Sequence, residues 1–275
     1  MISSELRDID YERISRLVHE QCGINLHDGK KELVKARLGK RLREGNFKSF
    51  AEYYRYVTTA EGTEELISMI DSLSTNLTYF FREENHFHTL RQILQQKPLP
   101  MDNHNGTAKL KIWSAGCSTG EEPYSLAMIA CECMGGLVAN VRIMATDIST
   151  RVLHVAEKGI FHKERLQNVS PVILKKYFQV GYGKREGCFR IKKDIRNMVS
   201  FARFNLMDAP PSSYRFEIIF CRNVMIYFDK ATQAALIDRF YHCLNQGGYL
   251  FIGHSESLTG LRHNYKYIAP SIYRK

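Results

Sequence analysis

Trp113-Ser114-Ala115-Gly116-Cys117-Ser118-Thr119-Gly120-Glu121-Glu122-Pro123 joins an apolar run that reads as a strand, LKIWSAG, to a stretch that reads as a helix, EEPYSLAMIACECM. Small residues at such a joint let the backbone turn sharply and approach a ligand. Pro123 suits the first helical turn, where its missing N–H costs nothing. The run is not G-x-G-x-x-G, and no Lys follows as in a P-loop. A pyrophosphate would want open N–H groups and little negative charge, yet Glu121 and Glu122 stand at the helix entrance. They favour a cationic ligand, and the sulfonium and amino group of S-adenosylmethionine carry such charge. Asp147 closes the next apolar run, VRIMATD, about 25 residues past the turn, near the offset of an acid that grips ribose hydroxyls. An Asp there serves as a helix N-cap as readily as a ligand. The small-residue turn before it selects the ligand reading.

Downstream, the segments STRVLHVAEKG, MVSFARFNL, EIIFCRNVMIYF and GGYLFIGHSES continue the pattern, with a helix expected from about Asp229 to Leu244. Strand–helix alternation of this kind predicts an α/β fold with a Rossmann-like, doubly wound parallel sheet. Residues 160–198 interrupt it with a helix-like stretch and a polar candidate hairpin, GYGKREG, and read as a small inserted β-subdomain. Upstream, Leu6, Ile9, Ile14, Leu17 and Val18 fall near 3.6-residue spacing, as do Leu33, Ala36, Leu38 and Leu42. Segments Phe50–Val57 and Glu64–Leu73 read as further helices. A small all-α domain is therefore expected over residues 1–94. A Pro/Asn/Gly-rich linker follows over 95–108, KPLPMDNHNGT at its centre, and the α/β domain over 109–275.

The 275 residues carry a net charge of +10, which points to an anionic partner such as nucleic acid, a membrane surface or an acidic protein. Seven scattered cysteines include no C-x-x-C pair, so zinc ribbons and redox motifs are not expected. His86 and His88 flank Phe87 but sit at i and i+2, on different helix faces, and no metal site is expected. No stretch approaches the roughly 20 apolar residues of a membrane helix, and the charged N-terminus lacks a secretory core. A cytoplasmic protein is expected.

Three motifs, TNLTYFFRE at 75–83, SAGCSTGEEPYS at 114–125 and FCRNVMIYFD at 220–229, with GHSES at 253–257, closely resemble those of the chemotaxis receptor methyltransferases of the CheR type. The resemblance runs over effectively the whole chain. It implies transfer of a methyl group from S-adenosylmethionine to chemoreceptor glutamates, leaving S-adenosylhomocysteine. The first motif closes over the cofactor in that family, which nominates Asn76, Thr78 and Arg82. The second nominates Glu121, and the strand-ending acid nominates Asp147. Asn205 and Leu206 match a pair bordering the adenine. Arg222 and Asn223 match the third motif, with Tyr227 near the reacting methyl. Gly116 and Cys117 stand where many relatives carry alanines.

A glutamate carboxylate, with a pKa near 4.3, is already ionised at neutral pH. Methyl transfer to it needs alignment rather than a general base, so Arg82 is read as an anchor and Tyr227 as an aligner. Lys30, Lys31, Lys35, Arg37, Lys40, Arg41 and Arg43 crowd one candidate helix. The resemblance makes that helix a docking surface for the acidic cytoplasmic helices of methyl-accepting receptors, with Arg37, Arg41 and Arg43 as contacts. It also implies a monomer, and in some members a receptor C-terminal peptide adds to the inserted hairpin. Two rivals stand beside this reading. A nucleic-acid methyltransferase would carry an Asn/Asp-Pro-Pro-aromatic signature, and Asp208-Ala209-Pro210-Pro211-Ser212 lacks the aromatic. An S-adenosylmethionine-binding sensor would keep the cofactor residues but transfer nothing.

Overall fold

The computed structural model describes residues 5–26, 28–96, 110–135 and 140–275. The N-terminal periodicity becomes α1 (Asp8–Cys22), α2 (Lys31–Glu44), α3 (Phe50–Val57) and α4 (Thr63–Leu73). Their apolar stripes converge on one core built around Ile14, Val18, Val34, Leu38, Tyr53 and Met69. Ile9, although on the expected spacing, lies exposed. Ser49 starts α3 as its N-cap, accepting from the Glu52 N–H.

The next helix, α5 (Glu84–Gln96), does not belong to this core. Its Phe87, Leu90 and Leu94 pack with Ile112, Tyr124, Ile143 and Phe220 of the α/β body. The helical domain therefore ends before residue 84, earlier than the boundary expected near residue 94. A helical stripe reveals that a face is buried, but not which neighbour buries it. The linker expected over 95–108 lies, from residue 97 on, outside the described residues.

The α/β body follows as β1 (Leu110–Ala115), α6 (Glu121–Met134), β2 (Val141–Asp147) and α7 (Thr150–Lys158). Then come β3 (Ile160–His162), α8 (Pro171–Tyr177), β4 (Phe178–Val180), β5 (Cys188–Ile191) and α9 (Lys193–Arg196). It closes with β6 (Val199–Arg203), β7 (Phe216–Cys221), α10 (Lys230–Cys243), β8 (Leu244–Ile252), β9 (Lys266–Ala269) and β10 (Ile272–Arg274). Seven strands form one sheet in the order β6-β2-β1-β7-β8-β10-β9. The first five run parallel, and β10 alone runs against them, pairing antiparallel with both β8 and β9. Strands β1 and β7 are apolar on both faces, as a sheet covered on both sides requires. Strands β3, β5 and β4 make a separate antiparallel sheet within the region expected to be inserted.

The chain runs outward from β1 through β2 to β6, then returns to β7 on the other side of β1. Their carboxyl ends thus diverge at a topological switch point, where open α/β sheets bind ligands. Among the described residues no helix is long and apolar enough to cross a membrane.

Candidate active site

A cleft of about 1010 Å³ opens at that switch point. Its floor is the turn after β1. Gly116 takes a φ of 82°, and a Cβ there would stand 2.4 Å from Val224 Cγ2, so with glycine the turn lies closer to Val224 than an alanine could without moving that side chain. Asp147, ending β2, accepts from the Ser118 N–H at 2.8 Å and the Ser149 N–H at 3.0 Å. The N-cap of α7 is Ser149, not Asp147. A carboxylate has about four acceptor positions, so two remain for hydroxyl donors. Burial raises the Asp147 carboxyl above its ordinary value, against the pull of those N–H groups.

One wall is apolar, made by Ile148, Phe204 and Leu206, and suits a flat aromatic ring. Asn205 lines it too, but its amide donates to the Gln21 carbonyl at 2.6 Å and accepts from the Met207 N–H. The end of α1 thus forms part of the site, with Cys22 and Ile24 on the cleft. Over the top runs the segment from Leu73 to Tyr79. Asn76 and Thr78 both line it, and the Asn76 carbonyl accepts from Ser118 Oγ at 3.0 Å. Arg82 also lines the cleft, donating to the Leu77 carbonyl at 2.7 Å with its guanidinium 5.8 Å from the Tyr79 ring centre.

The far wall follows β7, which stops at Cys221 rather than running through to the phenylalanine expected to end the strand. Asn223 turns the chain at a φ of 57°, and Met225–Tyr227 is a single 3-10 turn. The reason lies in Glu256, which is 8% exposed and whose carboxylate accepts from the N–H groups of Gly253, Asn223 and Ile226 at 2.6, 3.0 and 3.2 Å. An anion anchored by three N–H groups fixes that turn and, with it, Tyr227 on the cleft. Replacing Glu256 by Gln sets an NH2 against a donor whichever way the amide points, and should cost about 1–3 kcal/mol in urea unfolding.

Arg222 is the hub. Its buried guanidinium pairs with Glu83 at 3.0 Å and Glu122 at 3.0 Å, and donates to the Arg82 carbonyl. Glu122 also accepts from Ser114 Oγ, and burial raises its carboxyl despite Arg222. Burial would raise Glu83 as well, but the charge of Arg222 and its hydrogen bonds hold it below the usual value. Asn223 donates to the other Glu83 oxygen at 3.2 Å. Glu83, His86 and His254 bring ligand-type atoms within 4.8 Å of one another. Both Glu83 oxygens already accept hydrogen bonds there, and Arg222 supplies the cation. Burial, and then Arg222, push His86 down to about 3, so its ring is neutral and packs edge-on against Phe251 and His254.

Glu121 departs from expectation. Its side chain is wholly buried but turned away from the cleft, tied to Thr119 at 2.6 Å and to Arg165. On a helix, adjacent residues point about 100° apart, so only one of the two glutamates faces the cleft, and that one is Glu122. Glu83 and Glu256 were also missed as site residues. Both sit in motifs that were quoted, but nothing in the sequence says that their carboxylates converge.

Around the cleft, the carboxylates of Asp147 and Glu122 stand with the guanidiniums of Arg82 and Arg222, and Glu83 pairs with Arg222 from outside the lining. S-adenosylmethionine, with a sulfonium, an ammonium and a carboxylate, likewise carries groups of both signs. A hydroxyl-accepting acid, an apolar slot and a mixed-charge wall match its ribose, adenine and methionine parts in turn.

Comparison with known proteins agrees. Residues 76–273 match the CheR methyltransferase SAM binding domain, and residues 9–74 match the CheR methyltransferase all-alpha domain. The chain is 41% identical over 268 residues to a chemotaxis protein methyltransferase of Borreliella burgdorferi, covering 96% of this chain and 93% of that protein. It is 38% identical over 272 residues to the chemotaxis protein methyltransferase of Escherichia coli, covering 98% and 91%. Chemotaxis protein methyltransferase 2 of Pseudomonas aeruginosa is 37% identical over 265 residues, covering 96% and 92%. Two family models that meet near residue 75, with relatives matched along nearly their full length, make this chain a member of the CheR family of S-adenosylmethionine-dependent methyltransferases.

Proposed function

We propose that the chain transfers the methyl group of S-adenosylmethionine to glutamate side chains of chemoreceptors, forming the glutamyl methyl esters of bacterial chemotaxis adaptation. The convergence of Asp147, the apolar slot and the Glu122–Arg222 wall on one cleft carries the reading. Asp147 would hold the ribose hydroxyls, Leu206 and Phe204 the adenine, and the wall from Glu122 to Asn223 the cationic end. Arg82 and Tyr227, both on the cleft, would steer the incoming carboxylate. The bound cofactor supplies an electrophilic methyl, and the glutamate arrives ionised, so no side chain has to move a proton. Holding the reacting atoms in line can supply about 7–11 kcal/mol of the barrier.

The decisive experiment incubates the protein with methyl-labelled cofactor and receptor-bearing membranes, then treats the product with base. Release of volatile methanol is expected. Base-stable label in nucleic acid, or no transfer at all, would overturn the reading.

The substrate would dock on the basic face of α2. The three arginines nominated there are not equivalent. Arg41 is tied to Glu65 and Glu44, and Arg37 to carbonyls at the end of α4. Arg43 is exposed and has no ion pair among the described residues. Encounter with an acidic helix bundle would therefore rest on Arg43 and its lysine neighbours, and weaken as salt rises. Arg43→Glu should raise the KM for receptor about tenfold at low salt while S-adenosylhomocysteine binds as before, measured by initial rates and calorimetry. At the inserted sheet, β4 is an edge strand with Val180 and Tyr182 exposed beside it, suited to a receptor's C-terminal peptide added as a further strand.

A further inference from the structure

We propose that Arg37 is a positioning residue for the cofactor cleft, acting through the backbone of residues 73–76. This rests on the cleft being the cofactor site. Helix α4 ends at Leu73, and Ser74 leaves the helix in an extended conformation, so the carbonyls of the last turn lack intrahelical partners. Arg37 reaches them from α2. Its Nη1 donates to the Leu73 carbonyl at 2.7 Å and to the Ser74 carbonyl at 3.0 Å, and its Nη2 lies 3.4 Å from Thr75 Oγ1. A cation at a helix C-terminus is also favoured by the helix dipole. Leu73, Ser74, Thr75 and Asn76 all line the cleft.

The segment they form crosses the opening, and on the α/β side Ser118 Oγ holds the Asn76 carbonyl. On the helical-domain side Arg37 fastens it from α2, beside the bond from Ser74 Oγ to the Asp71 carbonyl. The base from which it reaches is rigid, because Arg41, one turn further along α2, pairs with Glu65 of α4 at 2.5 Å, and Tyr53 donates to the same carboxylate. Asp71 of α4 in turn accepts from Thr150 Oγ1 at 3.1 Å and the Arg151 N–H at 3.3 Å, at the start of α7. Any movement of α2 is thus passed through Arg37 to the backbone that covers the cofactor. Docking on α2 and occupancy of the cleft become coupled, each shifting the other's affinity by the same factor.

Calorimetric titration of the full chain with S-adenosylhomocysteine, without receptor, tests this. Arg37→Ala should weaken binding about tenfold, as loss of charge-assisted hydrogen bonds predicts, with the thermal midpoint within a few degrees of the parent. Arg37→Lys, which keeps the charge but cannot span both carbonyls and Thr75, should fall between. It carries the comparison if the alanine variant does not fold. Arg55→Ala, an exposed arginine of the same domain, should leave affinity unchanged. Parent-like affinity in Arg37→Ala, whether or not receptor methylation falls, overturns the proposal. A parent protein that binds no S-adenosylhomocysteine overturns the functional reading, and this inference with it.

Discussion

Arg222→Met should destabilise the protein by about 3–5 kcal/mol, because removing one partner of a buried ion pair strands the other. Here two carboxylates are stranded at once, Glu83 and Glu122, and the Arg82 carbonyl loses its donor. Methionine fills much of the same volume, so a cavity contributes little. Urea unfolding followed by circular dichroism measures the loss. Its pH dependence separates a charge effect from a packing effect. In the parent, Arg222 holds Glu83 below its ordinary value of 4.5, so the stability it confers is complete above that pH and fades as pH falls through the lowered value. In the variant both carboxylates are buried without a cation, so the folded state takes up protons first and recovers stability on acidification. The gap between the two should be widest near neutrality and narrow toward acid. A gap independent of pH would mean that the guanidinium matters for its shape alone.

Asp147→Ala is expected to weaken S-adenosylhomocysteine binding about a hundredfold, the loss of two hydrogen bonds to a charged acceptor. The fold should suffer less, by about 1 kcal/mol, since Ser118 and Asp147 line the cleft and water entering there can replace the carboxylate. Calorimetry on folded protein gives the first number and urea unfolding the second. Acid supplies an independent check. Burial raises the Asp147 carboxyl above its usual 3.8, so the parent's affinity should begin to fall at a higher pH than an exposed aspartate would dictate. The alanine variant should lack that component. Unchanged affinity would remove Asp147 from the ribose site and leave it a brace between two turns.

Much of this molecule was legible before any coordinates. The joint at 113–123 announced a strand, a tight turn and a helix entrance, because sterics and charge act over a few residues there. The place of Asp147 at the end of the second strand was legible for the same reason. Periodicity located α1 and α2, since burying one face of a helix leaves its mark at 3.6-residue spacing.

What only the tertiary structure decided are matters of partnership. Glu121 and Glu122 are equal in sequence, yet Arg165, 44 residues away, neutralises the first and leaves the second to face the cleft with Arg222. Helix α5 has a plain apolar stripe, but its assignment to the α/β body depends on Ile112 and Phe220. Arg37 and Arg41 read as docking contacts on a basic helix, and only the packing of α4 shows them held by carbonyls and a carboxylate. The end of β7 is set by Glu256, more than thirty residues downstream. Local sequence fixes backbone conformation and the sign of a charge through forces that reach a turn or two. Which opposite charge meets it is decided by the packing of distant elements, and in a buried site that pairing determines what remains available to a ligand.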